Sequence, residues 1–294
     1  DVIGRKKVFL LTVLIYGLAS LGCALAPSFS LLLVLRFIEG TGLGGCLPVD
    51  YSLVSEFMPK KVRGRVVALL GIAFPTGATI CGLVSTLLLP LNSWRLMLGL
   101  MVVPALLTVW IRRNVPESPM FLLRKGREAQ ARQVVNDLVR RAGVPVEEWR
   151  NPPAVSGDRV SIGTYLRRLG DLWAFNWKLT GLAWLAFASV FFLYYGALNW
   201  MPSILVREGL NQYAAFLNTT LMTGVGILGT VLSSWLVDRG GRKFSLLVGG
   251  VGSGIGIFFF ALWLDLGQGA ALWLGLYGFC VQLLIGTLYV YLPE

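Results

Sequence analysis

Long apolar stretches alternate with polar connectors along almost the whole chain. Each stretch is close to or above the roughly 20 residues that an α-helix needs to cross a hydrocarbon core about 30 Å thick. Helices satisfy their own backbone hydrogen bonds in lipid. The pattern therefore predicts an all-α polytopic membrane protein, surrounded by the lipid bilayer, with eight spans at residues 8–26, 30–55, 66–89, 94–111, 178–206, 214–237, 244–264 and 270–292.

The connectors differ in charge. Of the 26 Lys and Arg residues, 23 fall in alternate connectors, and only Arg36, Arg95 and Arg207 lie elsewhere. Connectors rich in Lys and Arg stay on the cytoplasmic side of a membrane. The sequence therefore predicts that four connectors of an integral membrane protein of the cell membrane are cytoplasmic: 1–7, 59–65, 112–178 and 238–243.

Composition excludes several classes of function. The chain is 55% apolar and has no histidine, so a Ser-His-Asp triad and a His-ligated metal site are excluded. Its four cysteines lie in apolar runs without a CxxC spacing, and no G-x-x-x-x-G-K-[ST] phosphate loop occurs. We predict no enzyme, no ATP-driven pump, no catalytic residue, no metal and no cofactor. The net charge of +11 follows the connectors, so we expect no nucleic-acid partner.

One short motif occurs twice. The opening residues 1–6 have the form D-x-x-G-R-K, and residues 238–243 repeat it after a displacement of 237 residues. Both copies immediately precede a span, so two related halves are implied. We predict a half-bundle at 1–111, a cytoplasmic connector with short helices at 112–177, one of them starting at Ser118-Pro119, and a second half-bundle at 178–294.

These loops, together with the runs 36–44, 56–64 and 116–119, resemble the major facilitator superfamily, in its sugar-porter and metabolite:proton symporter branch. The resemblance covers essentially the whole chain. It implies a twelve-helix fold in which these spans are helices 3 to 10, so that the chain is a fragment lacking two helices at each end. It also implies transport of a small metabolite by alternating access, together with protons.

The seventh-helix run narrows the class of substrate. Residues 192–202 are similar to the seventh helix of organic-acid and nicotinate-type symporters, and they lack the paired glutamines of sugar porters. The antiporter motif expected in the fifth helix is broken at Phe74, Ala78 and Thr79. The resemblance therefore favours a small organic or aromatic acid, with a sugar-like substrate less favoured, and disfavours drug export.

Three charged residues on the second span, Arg36, Glu39 and Asp50, are candidate coupling residues. At 100° per residue all three project from one face, and a charge inside a bilayer needs a partner or water. In the family an arginine at the Arg36 position takes part in proton coupling. Alternatively, Arg36 and Glu39 only pair with each other at the interface, and Asp50 caps the inner gate. Gly40 and Gly44 are expected to let a neighbouring helix approach closely.

Four polar or aromatic residues are candidate substrate contacts. Tyr195 and Asn199 are four residues apart on the seventh-helix span, followed by Trp200, and Gln282 is an amide in the last span. An aromatic platform with an amide suits a small molecule. Alternatively, the first three belong to an aromatic belt at the membrane surface, and Gln282 only joins helices.

A set of loop residues is expected to gate the transporter. In the family such residues pair across the two halves and hold the outward-facing state. Alternatively, they are simple topology charges. The candidates are Asp1, Gly4, Arg5, Glu56, Arg63, Glu117, Asp238, Gly241, Arg242 and Glu294.

These observations predict a secondary transporter that moves a small metabolite by alternating access, with protons as the coupling ion. Two alternatives remain open at this stage: a facilitative uniporter, and a non-transporting sensor or receptor on the same fold.

Overall fold

The computed structural model is helical throughout the part of the chain that it describes, with no strand in that part. For Arg5, Asp50, Glu56, Arg63 and Asp238 it describes the backbone and not the side chain. The described residues are 4–58, 63–100, 102–103, 106, 110, 114, 116–141, 143, 145, 162–264 and 269–291.

Seven described helices are long and apolar enough to cross a membrane. The all-α polytopic fold is therefore confirmed. Of the fourth predicted span, 94–111, the structure describes a continuous helix over Trp94–Leu100. The helices are α1 (Arg5–Leu25), α2 (Phe29–Phe57), α3 (Arg63–Leu88), α4 (Trp94–Leu100), α5 (Pro119–Arg124), α6 (Glu128–Arg141), α7 (Ile162–Arg207), α8 (Gln212–Gly240), α9 (Arg242–Leu264) and α10 (Ala270–Tyr291).

Side-chain caps fix several helix starts. Ser118 accepts a hydrogen bond from the Phe121 amide at 3.2 Å, with Pro119 in the first turn of α5. This confirms the predicted short helix in the connector. In α7 the backbone leaves helical geometry at Asn176, whose side chain accepts from the Leu179 amide at 3.1 Å. Asn176 thus caps the membrane part of α7, which begins where the sequence predicts the span.

The duplicated loop motif has a structural counterpart. Gly4 precedes α1 with φ +100° and ψ 139°, and Gly241 precedes α9 with φ +81° and ψ 159°. L side chains rarely adopt this part of backbone space, so both positions favour glycine. The two glycines are 237 residues apart, as the repeat predicts.

The described helices fall into two compact units. The first contains residues 1–63 and 93–170, and the second contains 64–92 and 171–294. The predicted half-bundles 1–111 and 178–294, with the connector 112–177, follow chain order and stay a prediction.

In the first unit, α1 packs directly against α2. A Cβ at Gly42 would lie 2.9 Å from the Thr12 carbonyl oxygen, and one at Gly45 would lie 2.9 Å from Thr12 Cγ2. Cβ atoms at Gly40 and Gly44 would meet no described atom within 4 Å. The face of α2 that meets α1 is therefore the one that carries Gly42 and Gly45, and the expectation that Gly40 and Gly44 admit a neighbouring helix stays a prediction.

In the second unit, α10 packs against both α8 and α9 through glycines. On the α9 side, a Cβ at Gly256 would lie 2.7 Å from the Tyr277 amide nitrogen. On the α8 side, a Cβ at Gly278 would lie 2.7 Å from Met222 Cγ. Small residues let membrane helices approach to backbone contact, where dispersion and polar backbone contacts stabilise the pair. Helix α3 joins this unit, with Thr79 Oγ1 at 3.1 Å from Thr223 Oγ1 on α8.

Replacing Gly278 by alanine is expected to destabilise the protein by about 1–3 kcal/mol, the usual cost of overpacking a core. The new methyl group would press on Met222, whose carbonyl carbon is only 2.9 Å away. Gly275 is the matched control on the same helix, because its Cβ would meet nothing within 4 Å. Thermal unfolding in detergent should show a lower midpoint for Gly278→Ala alone. Equal midpoints would contradict the close approach of α8 and α10.

Candidate functional site

The first candidate site is an ion pair on α2. Glu39 is buried, with 5% of its surface exposed, although it lies on a helix that could cross a membrane. Arg36 Nη1 donates to Glu39 Oε2 at 2.9 Å, and the Cys23 thiol on α1 lies 4.0 Å from the same oxygen. The acid is thus held between the guanidinium and α1. Two of the three predicted coupling residues are in direct contact, while the Asp50 side chain lies outside the described residues.

This pair differs from a surface salt bridge. The Arg36 side chain is 50% exposed, whereas that of Glu39 is 7% exposed. A carboxylate buried in a membrane helix is costly unless it is paired or protonated. The contact with Arg36 therefore offsets part of the cost of burying the Glu39 carboxylate.

A second site joins the N-terminus of α1 to the Pro116–Pro119 motif. Glu117 Oε1 accepts from the backbone amides of Lys6 and Ser118, both at 3.1 Å. A carboxylate at a helix N-terminus satisfies free amide donors and interacts favourably with the helix dipole. A Cβ at Gly4 would lie 2.6 Å from Glu117 Oε2, so glycine is needed there for space as well as for its backbone conformation. Two predicted gating residues, Gly4 and Glu117, are therefore in contact.

The other gating candidates are only partly described. Gly241 is the fourth residue of the second copy of the motif, and Arg242 interacts with other groups of the protein. The predicted pairing across the halves stays a prediction. Outside the described residues lie Asp1 and Glu294 entirely, and the side chains of Arg5, Glu56, Arg63 and Asp238.

The third site is a row of aromatic rings in the second unit. On α7, Phe187 stacks on Phe191 with centroids 5.7 Å apart, and Phe191 stacks on Tyr195 at 5.9 Å. Tyr289 of α10 meets the first two rings edge-on at 5.8 and 6.2 Å. Phe74 of α3 closes the row at 6.5 Å from Tyr195. This aromatic row is a flat, apolar surface that suits a planar ring.

Two buried polar groups lie beside the aromatic row. Tyr194, whose centroid is 5.4 Å from that of Tyr195, is 1% exposed, and Gln282 of α10 is also 1% exposed. Neither the Tyr194 hydroxyl nor Gln282 Nε2 has a hydrogen-bond partner in the described structure. Buried polar groups are nearly always satisfied, so such a pair needs an explanation. Gln282 was a predicted contact, whereas Tyr194 was missed.

The remaining predicted contacts lie apart from this pair. Asn199 is exposed and Trp200 is 67% exposed, near the end of α7. Their exposure agrees with the open alternative of an aromatic belt at the membrane surface. Nothing in the sequence distinguishes Tyr194 from Tyr195, since adjacent tyrosines differ only by 100° of helix rotation.

No group of three or more His, Cys, Asp or Glu residues in the described part of the chain is placed to hold a metal ion. The three candidate sites are thus an ion pair with a buried carboxylate, a capped helix start, and an aromatic surface with two unsatisfied polar groups beside it.

Comparison with known proteins identifies the relatives of the chain. The niacin transporter NiaP of Acinetobacter baylyi is 36% identical over all of this chain and 66% of its own length. The putative niacin/nicotinamide transporter NiaP of Bacillus subtilis is 31% identical over all of this chain and 65% of its own length. The chain thus spans slightly less than two thirds of these curated relatives.

A solved structure shows the same fold. The partially occluded, inward-open form of the xylose transporter XylE from E. coli superposes with a TM-score of 0.72 and 20% identity, covering 99% of this chain and 68% of that one. The model of the Major Facilitator Superfamily matches residues 1–294. The chain is an integral membrane protein, and it belongs to the Major Facilitator Superfamily.

Proposed function

We propose that the protein is a secondary transporter that moves a small aromatic metabolite, a niacin-like or related aromatic acid, across the membrane by alternating access. The observation that carries the proposal is the aromatic row on α7, with the free polar groups of Tyr194 and Gln282 beside it. A planar ring stacks on such a surface, and a polar substituent at its edge reaches the two groups. The two NiaP relatives, named as transporters of niacin, agree with this class of substrate.

Proton coupling is the second part of the proposal. Glu39 is the proton-binding group, and Arg36 controls its charge through the 2.9 Å contact. When Arg36 turns away, the buried carboxylate takes a proton, because an unpaired charge at that depth is costly. Asp50 serves as a further relay point on the same helix. Protons and substrate then cross the membrane in the same direction.

Gating is the third part. The cytoplasmic loop residues form ion pairs and helix-end contacts that exist in one state only, and they bias the population of that state. The contact of Glu117 with the first turn of α1 supports this role, since it ties the first D-x-x-G-R-K loop to the motif that follows the fourth predicted span. The loops 1–7, 59–65, 112–178 and 238–243 are on the cytoplasmic side in this proposal.

Uptake by intact cells tests the proposed substrate class. Cells that produce the protein are expected to take up radiolabelled nicotinate or nicotinamide in a saturable manner, above cells with an empty vector. Xylose is the comparison substrate, because the fold is shared with a xylose transporter while the aromatic row favours a planar ring. Saturable uptake of xylose with no uptake of the aromatic compounds would contradict the proposal.

A further inference from the structure

The Tyr194 hydroxyl differs from the hydroxyl of Tyr277, a second buried tyrosine in this unit. The Tyr277 hydroxyl, on a side chain that is also 1% exposed, donates to the Leu193 carbonyl oxygen at 2.8 Å. The Tyr194 hydroxyl has no such partner. Gln282 is close enough to interact with the Tyr194 hydroxyl, but their contact does not reach hydrogen-bond geometry, so Gln282 Nε2 is also without a hydrogen bond. Leaving a buried donor unsatisfied costs about 1–3 kcal/mol, so a ligand that satisfies both groups would recover that free energy.

Neighbouring helices hold the two side chains in place. A Cβ at Gly226 of α8 would lie 2.7 Å from Gln282 Cγ, so the absence of a side chain at Gly226 leaves room for the stem of Gln282. The Tyr194 ring lies 5.5 Å from that of Phe74, between centroids. The pair therefore lies where α3, α7, α8 and α10 meet, with a fixed orientation on both sides.

The charge of the surroundings indicates which ligand group fits. No Asp, Glu, Lys or Arg occurs in residues 66–92, 179–206, 209–237, 244–264 or 269–293, which form the membrane parts of α3 and α7–α10. A carboxylate bound here would be desolvated without a cation from its own unit, which is costly. An uncharged carbonyl group accepts from both donors without that penalty.

We infer that Tyr194 and Gln282 bind an uncharged carbonyl group, either a carboxamide or an un-ionised carboxyl, attached to the ring of an aromatic substrate. Gln282 Nε2 and the Tyr194 hydroxyl both donate to the carbonyl oxygen, whose two lone pairs accept two hydrogen bonds. The ring then lies toward Tyr195 and the aromatic row. This inference names the part of the substrate that the proposed transporter recognises, and so it rests on the proposed function.

Binding of an un-ionised acid makes the affinity for that acid depend on pH. Side-chain carboxyls have pKa values of about 4, so an aromatic acid of similar strength is almost entirely ionised at neutral pH. Binding the un-ionised acid therefore takes one proton from water together with the carboxylate. An amide substrate needs no proton at this site. Affinity for the acid is expected to rise about tenfold for each unit by which pH falls, while affinity for the amide stays constant.

Ligand binding to the purified protein tests the inference without any transport step. Titration calorimetry with nicotinamide, nicotinate and 3-methylpyridine, which keeps the ring but lacks the carbonyl group, compares the three ligands between pH 5.5 and 7.5. Nicotinamide is expected to bind independently of pH, nicotinate to bind more tightly as pH falls, and 3-methylpyridine to bind at least tenfold more weakly. Nicotinate affinity that is constant with pH and exceeds that of nicotinamide would overturn the inference, as would equal binding of 3-methylpyridine.

Substitutions test whether nicotinamide affinity depends on Tyr194 and Gln282. Tyr194→Phe and Gln282→Leu are each expected to weaken nicotinamide binding about tenfold, which corresponds to about 1.4 kcal/mol, and Gly226→Ala is expected to do the same by displacing Gln282. Matched controls are Tyr213→Phe, at a tyrosine that is 55% exposed, and Gly224→Ala, whose Cβ would make only an ordinary contact at 3.6 Å with Thr79. Affinities unchanged in all three variants would overturn the inference.

The outcomes separate this inference from the proposed function. A protein that binds nicotinamide through Tyr194 and Gln282 but takes up no substrate contradicts transport and leaves the binding site standing. A protein that transports nicotinate, with affinities that neither variants nor pH alter, contradicts the binding site alone. If a variant fails to fold, the comparison of the three ligands on the parent protein still decides, and a parent that binds none of them overturns the inference.

Discussion

Replacing Glu39 by glutamine is expected to abolish proton-driven accumulation of substrate while leaving exchange of substrate across the membrane intact. Glutamine keeps the size of the side chain and a hydrogen bond to Arg36, but it has no carboxylate to take up a proton. A carrier without its proton site still changes between its two states, and it equilibrates substrate instead of concentrating it. The buried contact with Arg36 at 2.9 Å makes Glu39 the strongest candidate for this role.

The size of the substrate gradient follows from the free energy of the proton gradient that drives accumulation. One pH unit is worth about 1.4 kcal/mol per proton, so a carrier that couples one proton to one substrate molecule sustains about a tenfold gradient of substrate. Proteoliposomes with an inward gradient of one pH unit and no membrane potential are expected to reach about that ratio with the parent protein. With nicotinamide as the substrate, which brings no proton of its own, the Glu39→Gln variant should stop at equal concentrations.

Glu208→Gln is the matched control, because Glu208 is an exposed acid just beyond the end of α7. It should accumulate substrate as the parent does. Arg36→Ala should also lose accumulation, since it removes the cation that pairs with the buried Glu39 carboxylate. Undiminished accumulation in Glu39→Gln and Arg36→Ala, at equal amounts of folded protein, would remove this ion pair from the coupling mechanism.

Replacing Arg242 by alanine is expected to shift the protein toward its inward-facing state. Loss of an interaction that exists only in the closed cytoplasmic gate, worth about 1–3 kcal/mol, changes the ratio of the two states about 5- to 150-fold. Glu117→Gln should act in the same direction, because its carboxylate holds the first turn of α1 through the Lys6 amide. A cysteine at Val54, near the predicted inner end of α2, reports the change through its labelling rate with a reagent added from the cytoplasmic side.

Lys243→Ala serves as the control for Arg242→Ala, since it removes a neighbouring exposed cation from the same loop. Its labelling rate should match that of the parent. If all the variants label at the same rate as the parent and unfold at the same temperature, the loop charges determine topology and do not act as a gate.

The sequence predicts the helices well because their signal is local. Spans predicted at 178–206 and 214–237 correspond to the membrane part of α7 and to α8, and polar caps such as Asn176 and Ser118 mark where helices begin. Hydropathy and capping depend on residues within a few turns of each other. They need no knowledge of the rest of the fold.

Contacts between helices were harder to predict. Gly40, Gly42, Gly44 and Gly45 are neighbours on α2, but only Gly42 and Gly45 face α1 closely. Which strip of a helix meets a neighbour depends on the rotation of both helices, and a nearly uniform apolar span does not encode that rotation in its own periodicity. Spacing predicts that Arg36 and Glu39 can meet, because residues three apart share a helix face.

The same limit explains the binding residues. Gln282 is identifiable because an amide is rare in an apolar span. Tyr194 is not, since the doublet with Tyr195 gives no reason to choose between them. Only packing shows that Tyr194 is the ring turned toward Gln282, while Tyr195 continues the row formed by Phe187 and Phe191.

Solute counterflow with the purified protein tests the central claim most directly, because it requires a carrier and no driving force. Proteoliposomes loaded with unlabelled nicotinate or nicotinamide are diluted into a trace of the same labelled compound. The account predicts a transient accumulation of label that exceeds equilibrium and is absent from protein-free liposomes. Label that enters only as fast as in protein-free liposomes, with protein that is folded and correctly inserted, would contradict the claim that this chain transports aromatic metabolites.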